Sequence, residues 1–366
     1  MPDRELKDVY ENFRKYPFSL QDFGYPMVGR DKEWAKIVQR IEQSLQKDGN
    51  EIIFIRGDYG MGKSFTLAGL YDKFSTISAY YVPKPMPLLS SEQTSKFAVD
   101  LANRLFEKIG REKIVKLTKR AKESWHGRIS PRAEEIFSTL LSDDTKEVEQ
   151  AFNMLTSPKL QPRHGQALIF GLQFILAHNK KRALLWLIDE FEYILTLGKT
   201  KLSQLAQTLR ELYDRQTDFE NDFGLKESVK IIFVYATSPA GWERLALTAE
   251  GKRAGLTGTA GVGVAAFHRR VPETHVIDLE PLNRASTHKL IETRMKNRDK
   301  TLIPVYKPFT EDFIDYIYQM SKGRPSEIVM LCDMIFLEAH AMELDKVDQK
   351  GAKAILQKLG LRAEPE

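Results

Sequence analysis

From Asp31, the stretch KEWAKIVQRIEQSLQ repeats apolar residues (Trp34, Ile37, Ile41, Leu45) at three- and four-residue spacing, which predicts an amphipathic helix. Lys47-Asp48-Gly49-Asn50 stops it, and Glu51–Ile55 reads as a short buried strand. SFTLAGLYDKF is a second helix, and ISAYYVP a second strand by its β-branched and aromatic content. Residues 92–165 read as helices broken near Gly127–Pro131 and Pro158–Pro162. The helix GQALIFGLQFILAHN then leads into the strand ALLWLIDE, and the helix KLSQLAQTLRELYDRQ into the strand VKIIFVYATS. A Gly/Ala/Thr-rich segment, expected as a mobile loop over 251–266, precedes a fifth strand, THVIDLEPL, and the last ~85 residues are helical. Strands alternating with helices predict an α/β fold: a parallel five-stranded sheet with helices on both faces.

The turn after the first strand changes the picture most. Gly57-Asp58-Tyr59-Gly60-Met61-Gly62-Lys63-Ser64, followed by Phe65, fits G-x-x-x-x-G-K-[ST] at every fixed position, with a strand before it and a helix after it. The glycines let backbone N–H groups converge on phosphates, and the start of the following helix adds a favourable dipole. Lys63 is expected to reach the β- and γ-phosphates of a nucleoside triphosphate, and Ser64 to offer its hydroxyl to Mg²⁺. LLWLIDE ends an apolar strand in two carboxylates. Asp189 is expected in the Mg²⁺ shell and Glu190 as the general base that polarises water, which favours hydrolysis over transfer to a small molecule. Glu192 reads instead as the beginning of the next helix. Thr237 and Ser238, ending the strand IIFVYATSP, could contact the γ-phosphate or the lytic water, or simply cap the helix that follows.

Composition narrows the class. With 42% hydrophobic and 29% charged residues the chain is a globular protein with length for a real core. No apolar run approaches the ~20 residues of a membrane span, and the charged N-terminus does not read as a secretory signal, so a cytoplasmic location is expected. The single cysteine, Cys332, excludes an internal disulfide and lies at helical spacing among apolar neighbours. The net charge of +5 is mild, but Arg104–Arg132 holds ten Lys and Arg against Glu107, Glu112 and Glu123. That local field suits either a solvated helix face or a phosphate backbone.

The ordered motifs resemble an AAA+ ATPase, and within that class the group of Orc/Cdc6 initiators, MuB/TnsC-type transposition regulators and STAND-like ATPases. VGRDKEW, with Val28 and Arg30, is similar to the segment that lies by the adenine in that group. The phosphate loop and LLWLIDE match Walker A and Walker B, ATSPAGWERL resembles the sensor-1 strand and helix, and RRVPETHVIDLEPLNRASTHKLIETRM the fifth strand and first lid helix. SKGRPSEIVMLCDMIFLEA resembles the sensor-2 helix of the lid. The resemblance implies a lead-in at 1–27, a nucleotide-binding domain at 28–282 with a helical insertion at 92–165, and a small helical lid at 283–366. It implies ATP and Mg²⁺ as cofactors, Arg324 as a lid arginine reporting the γ-phosphate, and Arg269 or Arg270 as a finger completing a neighbouring subunit's site. Arg244 and Arg253 stand as alternatives for that finger.

Three departures matter. The 126 residues from Lys63 to Asp189 exceed a minimal core, a hydroxyl residue stands where Asn is common at sensor 1, and about 25 residues after the sensor-2 helix are too few for a winged helix. The expectation is a homo-oligomerising ATPase that acts on or near duplex DNA and regulates a protein partner such as a transposase, nuclease or phage-defence complex. The alternative is a STAND-like switch acting on a protein without DNA.

Overall fold

The computed structural model describes residues 25–88, 96–122, 162–214, 229–249, 259–296 and 307–365, with residues 13, 16–20, 146, 150 and 153 besides. The expected helix breaks at 127–131 and 158–161, and the basic residues Lys122 aside beyond 122 (Arg128, Arg132), lie outside the described residues, as does Arg253. Two compact units emerge. One comprises residues 35–57 and 66–278, the other residues 1–34, 58–65 and 279–366.

The first unit is built on a parallel sheet. Its strands are β1 (Glu51–Arg56), β2 (Tyr80–Tyr81), β3 (Met86–Pro87), β4 (Ala183–Asp189), β5 (Lys230–Thr237) and β6 (Val276–Asp278). They run in the order β2-β4-β5-β1-β6, with β3 also pairing with β4. The five expected strands are therefore present, and the two-residue β3 is an addition. The second and fifth are much shorter than their apolar runs. Register is parallel throughout, from Glu51↔Ile232 to Arg56↔Thr237 and from Ala183↔Lys230 to Ile188↔Tyr235. β4 and β5 are buried on both faces, which explains their unbroken apolar sequences.

Helices α1 (Asp31–Ser44), α2 (Lys63–Ser75), α3 (Phe97–Ile109), α4 (Arg111–Lys122), α5 (Pro162–His178), α6 (Lys199–Asp214), α7 (Pro239–Ala249) and α8 (Thr259–His268) accompany the strands. Large rings fill the core. Phe54 stacks on Tyr235 at 5.0 Å, Trp186 on Phe233 at 5.6 Å, and Phe191 meets Phe54 edge-on at 5.0 Å. Each such buried ring contributes roughly 1.5–3 kcal/mol of transfer free energy. Asn50 registers the sheet: its amide nitrogen donates to the carbonyls of Leu212 and Tyr213, and its oxygen accepts from Ile231.

One expectation is overturned here. Residues 259–266, read as part of a mobile loop, lie in helix α8 (Thr259–His268), with Val264 and Phe267 buried three residues apart in the same core. Burial of that apolar stripe outweighs the low helix propensity of Gly261 and Gly263.

The second unit packs α9 (Arg284–Met295), α10 (Glu311–Ser321), α11 (Pro325–Ala341) and α12 (Gln349–Lys358) around Phe309, Phe313, Ile317, Ile335, Phe336 and Leu356, with Phe18 from the N-terminal segment. Asn283, Thr310 and Asp348 cap α9, α10 and α12 through their side chains. Cys332 is buried in this core, as its spacing predicts.

Candidate nucleotide site

In the sheet unit, β1 ends at Arg56, and the amide of Gly57 donates to the carbonyl of Thr237, the last residue of β5, at 3.1 Å. β1 and β5 are neighbours, yet the chain leaves them in opposite directions, to β2 at one edge and to β6 at the other. Such a switch point at the carboxyl ends of parallel strands is where open α/β sheets hold ligands.

At Gly57 the chain turns into the phosphate loop. Gly60 and Gly62 adopt φ of +80° and +89°, a region closed to most side chains, and α2 opens directly at Lys63. Lys63 is only 8% exposed, and its Nζ donates to the Asp58 carbonyl at 3.1 Å. Met61 is buried, Phe65 half-buried, and Asp58 and Ser64 are exposed, while Tyr59 at the tip is 92% exposed. Two left-handed glycines, an ammonium held beside the loop and the first amides of a helix are a donor set that fits a polyphosphate.

The loop's carbonyls are tied down within its own unit. The buried Arg30 donates from Nη2 to Met61 O at 3.0 Å and from Nη1 to the carbonyl of Glu280. Burial lowers the Arg30 pKa, opposed by Glu33 and Glu280, so the charge is kept at a desolvation cost. Val28 is buried alongside. Ser326, early in α11, donates its amide to Gly60 O at 3.1 Å, and a Cβ on Gly60 would overlap the Ser326 hydroxyl. Arg324 opens α11 just before Pro325, as its sequence predicts, and its guanidinium pairs with Glu327 at 3.0 Å.

The two carboxylates that end β4 lie in the sheet unit. Asp189 closes β4, its Oδ1 accepting the Glu190 amide at 2.8 Å and its carbonyl accepting the Leu88 amide at 2.9 Å. Glu190 itself sits at φ 56°, ψ 37°, a left-handed conformation that a non-glycine residue holds at a cost of about 1–3 kcal/mol. Burial, then Asp189 and Glu192, raise the Glu190 pKa, and Arg104 opposes them. Glu192 lies in the short 3-10 turn Phe191–Leu195.

Thr237 is fully buried and its hydroxyl donates to Ser238 O at 3.3 Å. Ser238 takes its capping alternative, its Oγ accepting the Gly241 amide at 3.1 Å at the start of α7. Gly241 is required there: a Cβ would stand 2.6 Å from Thr237 Oγ1 and 3.2 Å from the Glu192 Cα.

A match to the AAA ATPase domain family spans residues 26–217, just over half the chain. The chain belongs to the AAA ATPase domain family. Its α/β fold is the P-loop AAA+ fold, with flanking helices and a parallel sheet. The Orc2 protein of Aeropyrum pernix in its ADP form superposes with a TM-score of 0.56 at 12% identity, over 96% of this chain and 73% of that one. The Aeropyrum pernix Orc1 protein in complex with DNA gives 0.50 at 10% identity, over 95% and 70%. At those identities the likeness is one of fold. An uncharacterized HTH-type transcriptional regulator of Methanocaldococcus jannaschii is 29% identical over 92 residues, 25% of this chain and 22% of that protein.

Other residues of this AAA ATPase fall differently. Arg270 is engaged by Asp214 through two 2.5 Å bonds and donates to Ala266 O. Arg244 donates to Leu197 O at 2.6 Å. Arg269, by contrast, is exposed, with no ion pair among the described residues. Arg104, which in sequence merely belongs to the basic cluster, lies within α3 with its guanidinium on the carbonyl of Pro87, the register partner of Asp189. Its Nε is buried without a hydrogen-bond partner, and Asp100 stands 3.7 Å away. No spacing rule links Arg104 to Pro87 and the Asp189-Glu190 end of β4, so only the fold could reveal that its charge acts on Glu190.

Proposed function

We propose that this chain binds and hydrolyses ATP with Mg²⁺, assembles with copies of itself in a nucleotide-dependent way on or near duplex DNA, and thereby regulates a protein partner such as a transposase, nuclease or phage-defence complex. The observation that carries the reading is the phosphate loop, with left-handed Gly60 and Gly62 opening a helix at a buried lysine. Its amides and Lys63 would bind the β- and γ-phosphates, with Arg324 reporting the γ-phosphate from the lid. Val28 and Arg30 would shape the base side of the loop. Ser64 and Asp189 would hold Mg²⁺, which supplies charge neutralisation on the phosphates. Glu190, its pKa raised by burial and by Asp189 and Glu192, would take the proton from water, with Thr237 orienting that water. Arg269 would complete a neighbouring copy's site, because Arg270 is already held by Asp214. The Orc1 neighbour was solved with DNA and the Orc2 neighbour in an ADP form, which supports the nucleotide and the DNA parts of the reading.

A second reading, a signalling switch that acts on a protein without DNA, is favoured by Met330 and Leu337, two exposed apolar residues seven positions apart on α11. Steady-state ATP hydrolysis with and without duplex DNA at two salt concentrations, with Glu190→Gln as the blank, separates the two. Stimulation by DNA that fades with salt supports the first reading. Unchanged turnover, with no DNA retained by Glu190→Gln, supports the second.

A further inference from the structure

The tertiary structure builds a basic surface that the sequence does not display as one. In α4, Lys113, Lys116 and Arg120 are exposed on positions i, i+3 and i+7, while Ile114, Leu117 and Ala121 are buried. That row extends about 10 Å along the helix at 1.5 Å per residue. The turn before β4, residues 180–182, is Lys-Lys-Arg, distant in sequence from α4 but locked to it: Asn179 donates from Nδ2 to Leu117 O at 2.9 Å. Lys181 donates to Ser78 O at 2.8 Å, and Arg182 donates to Leu45 O at 3.1 Å. Lys113 lies over the ring of Tyr81 in β2, whose register partner is Leu184 in β4. Burial, and then the nearby Lys113 ammonium, lower the pKa of Lys181, as expected for cations brought together without neutralisation. None of Lys113, Lys116, Arg120, Lys180, Lys181 and Arg182 has a carboxylate partner among the described residues. Glu112 is the acid exposed on the same helix.

We propose that the α4 row and the Lys180–Arg182 turn form one surface that binds the phosphate backbone of duplex DNA. The surface lies at the amino-terminal end of β4, and the Asp189-Glu190 pair at its carboxyl end, so DNA and the hydrolytic carboxylates meet opposite ends of the same strand. Chemistry favours a nucleic acid over a protein occupant. Protein interfaces centre on apolar and aromatic anchors and are depleted in lysine, yet no exposed large hydrophobic residue is found on α4 or residues 179–182. A line of cations also suits a row of phosphates better than one small anion. This inference rests on the DNA part of the function proposed above.

The test is binding of a labelled duplex by the full chain with ATP across a salt series. Lys113→Gln/Lys116→Gln/Lys180→Gln is compared with wild type and with Lys346→Gln/Lys350→Gln on α12 and its approach. Removing three phosphate contacts should lower the slope of log affinity against log salt by about 2.7 and weaken binding tenfold or more at low salt. The α12 control should bind as wild type does, and all variants should keep ATP affinity and melting temperature. Wild-type binding with an unaltered triple variant would overturn this surface while leaving DNA binding intact. No duplex binding by wild type would overturn both. Equally tight retention of polyglutamate at the same salt would overturn the assignment to nucleic acid.

Discussion

The amide of Ser326 donates to the carbonyl of Gly60 at 3.1 Å, joining the start of helix α11 to the middle of the phosphate loop. At that contact Gly60 is at φ +80° with no room for a Cβ. Gly60→Ala should therefore lower ATP affinity at least tenfold and destabilise the chain by about 1–3 kcal/mol, from conformation and overlap together. Isothermal titration and thermal melting measure the two. Gly60→Ala/Ser326→Gly should recover the overlap part and not the conformational part. Wild-type affinity in Gly60→Ala would show that the contact does not shape the loop.

Lys63→Ala should abolish nucleotide binding, because it removes the ammonium packed against the loop. Glu190→Gln should keep binding, lose turnover by two orders of magnitude or more, and hold any ATP-dependent oligomer together. Nucleotide binding, phosphate release and sedimentation report these separately. Normal turnover in Glu190→Gln would remove Glu190 as general base.

The raised Glu190 pKa has a direction in the rate profile. A general base must be deprotonated, so the acidic limb of hydrolysis should lie at higher pH than an unperturbed glutamate would place it. Arg104 favours the charged form, so Arg104→Gln removes that help and the limb should move to higher pH. A pH profile of turnover per active site measures it. A purely structural Arg104 would lower melting temperature and leave the limb where it is.

Arg269→Ala and Arg270→Ala should separate. The first should lose turnover while keeping ATP affinity and stability, and addition of Lys63→Ala subunits carrying Arg269 should restore part of the rate. The second should cost on the order of 1 kcal/mol of stability, because it breaks the bidentate bond to Asp214. Loss of turnover in Arg270→Ala alone, with Arg269→Ala normal, would reverse the assignment.

Asp315 provides a check on the second unit. Arg284 and His288 hydrogen-bond its carboxylate and depress its pKa to about 2. A depressed carboxylate stabilises the fold above its unfolded pKa of ~3.9 and loses that contribution as pH falls through about 2. Asp315→Asn should therefore lower melting temperature at pH 7, and the gap to wild type should narrow below about pH 4. The pair is solvent-exposed, so high salt should narrow it as well.

Much of this protein is written locally. Unbroken apolar runs at 183–188 and 231–236 declare strands buried on both faces, and the spacing of glycines, lysine and serine at 57–64 declares a phosphate loop, because strand length, helix period and backbone freedom depend on near neighbours in the chain. Asp189 and Glu190 were legible as the end of such a strand. The rest needed residues far apart in sequence to meet. Helix α8 forms because Val264 and Phe267 find a core, against the local preference of its glycines. Ser238 serves as a cap, Arg270 is taken by Asp214, Arg104 is held on the carbonyl of Pro87, and Arg30 is fixed on the carbonyls of Met61 and Glu280. Sequence determines which groups can do chemistry. Tertiary packing decides which are spent on holding the fold, because a hydrogen bond or ion pair depends on where two side chains end up, not on how many residues lie between them.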